Sequence, residues 1–277
     1  MKGREALATA TERLRAAGVP DAVNDARRLL QYAMKASQFV LIDLDSEMTG
    51  MQLSVFQDIL NLREARVPMS HITGRREFYG RSFRVSSEVL DPRPDTETLI
   101  DSVLRQPFER VLDLGTGSGC ILATLLAERP NATGVGTDLS ASALKVAEQN
   151  ISELQLTERA KLIESDWFTK VDGRFDLIVS NPPYIALDEM EGLQPEVQNH
   201  EPRMALTDEG DGLSCYRAII SQTVPYLFAG GRIVVEIGPT QGVAVSALMV
   251  DADFDQIEII QDLDGRDRVV VGHKPHK

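Results

Sequence analysis

Apolar side chains recur at helical spacing through residues 1–75. The stretch EALATATERLRAAGVP closes with Gly18 and Pro20, which are typical of a helix end. NDARRLLQYAM then places its alanine and leucine side chains on one face. The next helical pattern opens with Thr49 and Gln52 at the spacing of a capping box. These apolar helix faces predict the core of a small helical-bundle domain over residues 1–75. No cluster of catalytic residues is found in this region.

Between residues 76 and 90 the helical spacing gives way to alternation. REFYGRSFRVS alternates aromatic and polar residues around Gly80, which predicts a β-hairpin. We interpret 76–90 as a linker between two domains. DPRPDTETLIDSVL then begins a helix, with proline in its first turn and acidic residues near its positive end. Residues 91–277 are therefore predicted to form the second domain.

From residue 109 onward, short apolar runs alternate with helical patterns. The predicted strands are RVLDL, GVGTD, AKLIES, FDLIVS, GRIVVEIG, QIEIIQDL and RVVVG. Helical stretches are predicted after the first five strands, which indicates βαβ units and a mostly parallel sheet. The last two strands are joined through DLDGRD, which is too short for a crossover helix. We therefore expect an α/β fold with a seven-stranded sheet and one antiparallel strand at the sheet's end.

Composition sets broad limits on the class of protein. The chain has 277 residues, of which 43% are hydrophobic and 26% are charged, as in globular proteins. The N-terminal sequence MKGREALATATERLR has no apolar segment of a secretory signal, and no apolar run approaches the ~20 residues of a membrane span. Cys120 and Cys215 are far apart and lack metal-ligand spacing. We therefore expect a cytoplasmic protein with no bound metal and no membrane partner.

The net charge of −13 is unevenly distributed along the chain. Residues 1–90 contain 13 Lys and Arg against 11 Asp and Glu, whereas the remaining residues contain 16 against 31. An acidic surface repels phosphate, so this distribution weighs against a nucleic-acid substrate. It does not identify a protein substrate, because acidic surfaces also simply keep proteins soluble.

A glycine-rich loop follows the first strand of the second domain, in VLDLGTGSGC. Its residues are Gly115, Thr116, Gly117, Ser118 and Gly119. Small residues at the start of a helix let a ligand approach free backbone amides. A dinucleotide fingerprint would need glycine where Cys120 stands. Ligand binding and a simple tight turn both remain open at this point.

Acidic and aromatic residues follow the next two strands. Asp138 ends the second strand, where it could accept both hydroxyls of a ribose or cap the following helix. Asp166 and Trp167 follow the third strand. The indole could pack on an adenine face while the carboxylate meets its exocyclic amine, although tryptophan is also an ordinary core residue.

The fourth strand runs directly into Asn181, Pro182, Pro183 and Tyr184 in FDLIVSNPPYI. Two adjacent prolines restrict the backbone before each of them, so this turn is rigid. The glycine loop, Asp138, the Asp-Trp pair and this turn end four successive strands. Ligands of open α/β sheets collect at that edge.

This ordered set resembles class I S-adenosylmethionine-dependent methyltransferases, in which N-P-P-Y accompanies methylation of a planar nitrogen. HITGRREFYG, LDPRPDTETLI, VLDLGTGSGCI, SDWF, IVSNPPYI and EPRMAL…DGLSCYRAII together resemble the protein-glutamine methyltransferases of peptide chain release factors, the HemK/PrmC type. The resemblance extends from roughly residue 20 to the C-terminus. It implies a Rossmann-like class I methyltransferase domain after the helical domain and hairpin.

The resemblance also implies roles for particular residues. S-adenosylmethionine would contact the glycine loop, Asp138, Asp166, Trp167 and Asn181. The Asn181 side-chain oxygen and the Pro182 carbonyl would orient the substrate amide, with Pro183 and Tyr184 beside it. The substrate would be the glutamine of a release factor's Gly-Gly-Gln motif, held partly by the helical domain.

Two other hypotheses stay open. An N-P-P-Y enzyme could instead methylate an exocyclic amino group of adenine or guanine in DNA or RNA, and a chain of this fold could be a non-enzymatic binding module. Arg93, Thr96 and Glu97 could contact the cofactor or only cap a helix. We expect a monomer whose partner is a release factor, without direct nucleic-acid binding.

Overall fold

The computed structural model describes residues 1–35 and 43–276. They form two compact units. The helical unit comprises Met1–Gly74 together with Gln194–His200, and the sheet unit comprises Arg75–Leu193 and the chain from Glu201 onward. No helix in the described ranges combines the length and apolarity needed to cross a membrane.

The elements are numbered in chain order. The helices are α1 (Gly3–Ala16), α2 (Ala22–Ala33), α3 (Gly50–Glu64), α4 (Met69–Thr73), α5 (Glu97–Leu104), α6 (Cys120–Glu128), α7 (Ala141–Glu153), α8 (Pro195–His200), α9 (Ser214–Thr223) and α10 (Gly242–Asp251). The strands are β1 (Arg75–Phe78), β2 (Arg81–Arg84), β3 (Arg110–Leu114), β4 (Thr133–Asp138), β5 (Ala160–Glu164), β6 (Phe175–Ser180), β7 (Leu227–Glu236), β8 (Asp255–Gln261) and β9 (Asp267–His273).

The helical unit is built from α1, α2, α3, α4 and α8, and its predicted helix signals are confirmed. Gly18 follows α1 with φ of +72°, the left-handed conformation that ends many helices. At the start of α3, the Thr49 N–H donates to Gln52 Oε1 at 2.9 Å, and the Gln52 N–H donates to Thr49 Oγ1 at 3.3 Å. Part of the predicted 1–75 region, residues 36–42, lies outside the described residues.

A buried arginine joins three helices of this unit. Arg63 is 5% exposed, and its Nε donates to Asp25 Oδ2 on α2 at 2.7 Å. Its Nη2 donates to Glu196 Oε1 on α8 at 2.9 Å, and Arg66 Nη2 donates to the other oxygen of Glu196 at 2.6 Å. A short helix from late in the chain is therefore attached to the helical unit by ion pairs.

The sheet unit begins with the predicted hairpin. Strands β1 and β2 pair antiparallel through a turn at Tyr79 and Gly80, whose φ angles are +48° and +70°. Two positive φ angles characterise the type I′ turn that matches strand twist. The hairpin is confirmed, while its role as a linker stays a prediction.

The large sheet has seven strands in the order β5-β4-β3-β6-β7-β9-β8, and β9 runs antiparallel to its neighbours. The predicted α/β fold with one antiparallel strand is confirmed. The expectation that this strand ends the sheet is wrong, because β9 lies between β7 and β8. The five central residues of β9 are buried, whereas β8 is mostly exposed. The more apolar strand therefore occupies the interior position.

Helices follow four of the five strands for which they were predicted. The exception is β5, since residues 165–174 contain no helix before β6 begins. Trp167 and Gly173 have positive φ angles of +43° and +91° in this connection, so a continuous helix cannot form there. The predicted helix after AKLIES is therefore wrong.

Helices cover both faces of the sheet. Successive residues of β3 alternate between two apolar clusters: Val111 packs with side chains of α5 and α6, and Leu112 with those of α9 and α10. A sheet that is buried on both faces presents its polar chemistry at the strand ends.

Candidate functional site

A buried carboxylate near the end of β3 stabilises the loop that follows this strand. Asp113 is 0% exposed, and its Oδ2 accepts from Thr116 Oγ1 at 2.6 Å and from the Leu122 N–H at 3.3 Å. Burial raises the pKa of Asp113 to about 7, against the opposing effect of these hydrogen bonds. Asp113 thus links the glycine loop to the first turn of α6.

Glycine is required within this loop for two reasons. Gly115, Gly117 and Gly119 all have positive φ, at +70°, +54° and +76°. At Gly119 space is also limiting, because an added Cβ would lie 3.1 Å from Ala147 Cβ on α7. Gly119 therefore permits close packing of the loop on α7, whereas Gly117 has no such neighbour within 4 Å.

Asp138 at the end of β4 is hydrogen-bonded to the same loop. Its Oδ2 accepts from the Gly117 N–H at 2.9 Å, and its Oδ1 accepts from the Ser140 N–H at 2.8 Å. The cap of α7 is Ser140, whose Oγ accepts from the Ala143 N–H at 3.2 Å, so Asp138 is not the helix cap. Burial raises the pKa of Asp138, while the Ser140 and Gly117 N–H groups oppose that shift.

Trp167 lies in the turn after β5 in a left-handed conformation that is strained for tryptophan. Ser165 stabilises the turn, donating to the Trp167 carbonyl at 3.1 Å and accepting from the Lys170 N–H at 3.0 Å. The indole is half-buried and lies beside Gly115. It packs against the apolar cluster that contains Leu112 and side chains of α9 and α10. Asp166 is exposed. Strain at such a residue is common in functional sites.

The N-P-P-Y turn is tied to its surroundings at both ends. Before it, Ser180 Oγ donates to the Leu114 carbonyl at 2.7 Å, and Asn181 Nδ2 donates to Thr96 Oγ1 at 3.4 Å. At its other end, the Tyr184 carbonyl accepts from Gln241 Nε2 at 2.9 Å. Burial raises the pKa of Tyr184 well above its usual value. The backbone of the turn is thus anchored by Ser180 and Gln241, while the contact with Thr96 places Asn181 Nδ2 toward that hydroxyl.

A cavity of about 510 Å³ lies at the carboxyl ends of β3, β4, β5 and β6. The predicted site residues that line it are Gly115, Thr116, Gly117, Ser118, Asp138, Asp166, Trp167, Asn181 and Pro183. Gly119, Pro182 and Tyr184 are not lining residues. The four predicted motifs are thus brought together, with Gly119 behind the loop and Pro182 buried in the turn.

Other residues also line the cavity, and of these the sequence suggested only Arg93 and Thr96 as possible cofactor contacts. They are mainly Asp91–Arg93, Thr96, Leu139, Ser140, Ala143, Pro202–Ala205 and Thr207–Glu209. Arg93 donates to Glu201 at 2.6 Å, whereas Glu97 accepts from the Tyr79 N–H at 2.8 Å and does not line the cavity. The stretches RPDTE and EPRMAL were visible in sequence, but no spacing rule connects them to strands so distant along the chain.

Within residues 1–35 and 43–276, no group of three or more His, Cys, Asp or Glu side chains is arranged to hold a metal ion. Cys120 is buried and Cys215 half-buried, both as free thiols.

The chain matches two family models, the PrmC N-terminal domain over residues 5–74 and the methyltransferase small domain over residues 86–200. A protein of Cereibacter sphaeroides named release factor glutamine methyltransferase is 49% identical, with 99% of each chain covered. A protein of the same name from Caulobacter vibrioides is 42% identical, over 98% of this chain and 96% of that one.

A solved methyltransferase structure from Pyrococcus furiosus matches with a TM-score of 0.55 and 15% identity. The match covers 79% of this chain and 98% of that one. At this identity the likeness shows a shared fold.

Proposed function

The chain belongs to the family of release factor glutamine methyltransferases, and we propose that it methylates the glutamine of a release factor's Gly-Gly-Gln motif. The methyl group would pass from S-adenosylmethionine to the glutamine side-chain nitrogen. The orientation of Asn181 carries this proposal. Its Nδ2 donates to Thr96, so its Oδ1 is left as an acceptor beside the cavity.

The residues around the cavity fit S-adenosylmethionine. The glycine loop offers backbone amides, and each Asp138 oxygen accepts one backbone N–H and retains a lone pair for a ribose hydroxyl. Trp167 offers a flat apolar face for adenine, with Asp166 nearby for its exocyclic amine. When bound, S-adenosylmethionine supplies an electrophilic methyl group.

The protein's task is to present an amide nitrogen, which is a weak nucleophile because its lone pair is delocalised into the carbonyl. Asn181 Oδ1 and the Pro182 carbonyl would accept its two N–H groups and turn the nitrogen toward the methyl group. The two prolines keep both acceptors fixed before the substrate arrives, which is how preorganised polar groups accelerate reactions. Pro183 and Tyr184 would form the walls beside the substrate side chain. No strong base is required, because the amide proton is lost after transfer.

The rival substrate is an adenine or guanine amino group, which the same acceptor pair could orient. The charge distribution weighs against this rival, since residues after 90 contain 31 acidic against 16 basic side chains. Nucleic-acid enzymes normally rely on a basic surface. Incubating the chain with labelled S-adenosylmethionine and either a release factor or RNA distinguishes the two, and label transferred only to RNA would contradict the proposal.

Asn181→Ala tests the mechanism. We expect turnover of a release factor to fall roughly 100- to 1000-fold, because one preorganised contact at a reacting centre is worth ~2.7–4 kcal/mol. Cofactor affinity should change far less, since the ribose and adenine contacts lie on other strands. Single-turnover methylation measured beside calorimetry separates the two quantities. Asn131→Ala, at an exposed position, is the matched control, and an Asn181→Ala enzyme with the parent rate would exclude this role.

We also propose the domain boundaries 1–75, 76–90 and 91–277, with the helical domain helping to hold the release factor. The match of the PrmC N-terminal domain to residues 5–74 supports a separate N-terminal domain. We propose that the enzyme is a monomer acting in the cytoplasm, where free thiols such as Cys120 and Cys215 are kept reduced.

A further inference from the structure

Glu236 is a buried carboxyl group for which the mechanism above has no use. It is the last residue of β7 and is 1% exposed. Neither carboxyl oxygen has a hydrogen-bond partner among the described residues. Burying an unpaired carboxylate is costly, so a group of this kind calls for an explanation.

The position of Glu236 follows from strand register. Ser180 of β6 lies opposite Val235 of β7 in a parallel pair, so the next residues, Asn181 and Glu236, follow side by side. Asn181 lies just beyond β6, whereas Glu236 still pairs with Val269 of β9. The Asn181 amide and the Thr96 hydroxyl are both close enough to affect ionisation of the carboxyl group. Thr96 is itself 2% exposed and accepts from Asn181 Nδ2.

Arg268 is a charged neighbour of Glu236, but its Nη2 is paired with other carboxylates. Arg268 on β9 is 4% exposed, and its Nη2 lies 3.2 Å from Asp95 Oδ2 and 3.4 Å from Asp262 Oδ2. It forms no ion pair with Glu236 among the described contacts. The Tyr216 hydroxyl donates at 2.8 Å to the backbone carbonyl of Glu236, not to its carboxyl group. Thr96 and Asn181 are the neighbours whose side-chain hydrogen bonding lowers the pKa of the Glu236 carboxyl, and the charge of Arg268 lowers it as well.

Given the proposed function, on which this inference rests, we propose that Glu236 is a positioning residue that fixes the orientation of the Asn181 amide. An asparagine side chain can present oxygen or NH₂ in nearly the same volume, and only the oxygen can accept from the substrate amide. Burial raises the pKa of the Glu236 carboxyl to about 7, and hydrogen bonding from Thr96 and Asn181 opposes that shift. In its ionised form the group accepts hydrogen bonds and donates none. With Thr96 on the same side, it favours the orientation in which Asn181 Nδ2 faces the protein and Oδ1 faces the substrate.

The first test is Glu236→Gln, which keeps the size of the side chain but adds a donor that can pair with Asn181 Oδ1. The single-turnover methylation rate should fall by on the order of 10- to 100-fold, as expected for a lost hydrogen bond to a charged group. The KM for the release factor, cofactor affinity and melting temperature should stay near their parent values. Glu164→Gln is the matched control, because Glu164 also ends a parallel strand but is exposed.

The second test exchanges the two groups. Asn181→Asp alone places two carboxyl groups side by side and should be nearly inactive. Combining it with Glu236→Gln restores a donor facing an acceptor, now with the amide at position 236 and the carboxylate at position 181. The double variant should recover roughly 10-fold or more of the rate lost by Asn181→Asp, since one hydrogen bond to a charged group is regained.

The outcomes separate this inference from the proposed function. If Asn181→Ala keeps the parent rate, the proposed mechanism fails. If Asn181→Ala is inactive while Glu236→Gln methylates at the parent rate, the positioning role alone fails. Glu236→Gln could instead lower the methylation rate, cofactor affinity and melting temperature together. If the double variant then recovers none of the rate, Glu236 has only a structural role and the inference is overturned.

Discussion

Asp138 shows what sequence can and cannot resolve about a single residue. The sequence placed Asp138 at the end of β4, but that position was consistent both with a ribose acceptor and with a helix cap. The structure assigns the cap to Ser140 and adds a contact that no pattern indicated, from the Gly117 N–H to Asp138 Oδ2. Side-chain hydrogen bonds between distant residues depend on packing, and so they are not encoded in local spacing.

Replacing Asp138 tests the cofactor site. Asp138→Ala should weaken S-adenosylmethionine binding about 10-fold or more, because a hydrogen bond to a charged group contributes ~1.5–3 kcal/mol. Part of that loss would come from releasing the Gly117 amide, which the carboxylate holds in the loop. Calorimetry gives the affinity, with the exposed Asp172→Ala as control. Unchanged binding by Asp138→Ala would remove this residue from the ribose site.

At the scale of elements, periodicity predicted the strands better than the connections between them. Apolar runs identified all seven strands of the large sheet, because each buries side chains on at least one face. The helix predicted after β5 is absent, since positive φ at Trp167 and Gly173 interrupts that segment. The position of β9 within the sheet was predicted wrongly, because it follows from the deeper burial of β9 than of β8. Burial of this kind is a property of the assembled sheet.

The attachment of α8 to the helical unit was likewise not predictable, because Glu196 lies 133 residues after Arg63. Although burial opposes it, hydrogen bonding from Arg66 and Arg63 lowers the pKa of Glu196 to about 2, from the ordinary 4.5. A lowered pKa stabilises the folded state above pH 4.5, and the stabilisation is lost as pH falls from about 4.5 to about 2.

Glu196→Gln tests this attachment. At pH 7 the variant should lose about 2 kcal/mol of the free energy that protects α8 from opening, since solvent screens part of the full ion-pair effect. At pH 3 the difference from the parent should shrink, because much of the stabilisation is then already lost. Hydrogen exchange at the amides of 195–200 measures the opening free energy. Glu12→Gln, an exposed change on α1, is the control, and a difference independent of pH would contradict the ion-pair account.

At the scale of the whole molecule, the cavity and the helical unit draw on different parts of the chain. Every lining residue of the cavity lies in 75–193 or beyond 200, within the sheet unit. The helical unit contains none of them, but it includes Gln194–His200, which follows the N-P-P-Y turn in sequence. Sequence periodicity predicted a helical domain ending near residue 75, but it gave no sign that a later segment belongs to it.

Removing residues 1–74 should therefore leave cofactor binding largely intact, because all cavity residues remain. Methylation of an intact release factor should fall at least several-fold if the helical domain helps to hold that factor. A short peptide containing Gly-Gly-Gln serves as a second substrate, since it is too small to need the helical domain. Its methylation rate should be similar for the truncated and full chains. Equal rates on the intact factor would contradict the proposed holding role.

The truncation also removes the residues that bind α8. The effect of the truncation on methylation therefore needs comparison with a variant that weakens only the attachment of α8. Glu196→Gln in the full chain weakens the attachment of α8 while keeping every helix of residues 1–74. If this variant methylates the intact factor at the parent rate while the truncated chain does not, the loss comes from the missing helices themselves. If both lose the same activity, the loss comes from release of residues 194–200, and the helical unit acts by holding that segment in place rather than by contacting the factor.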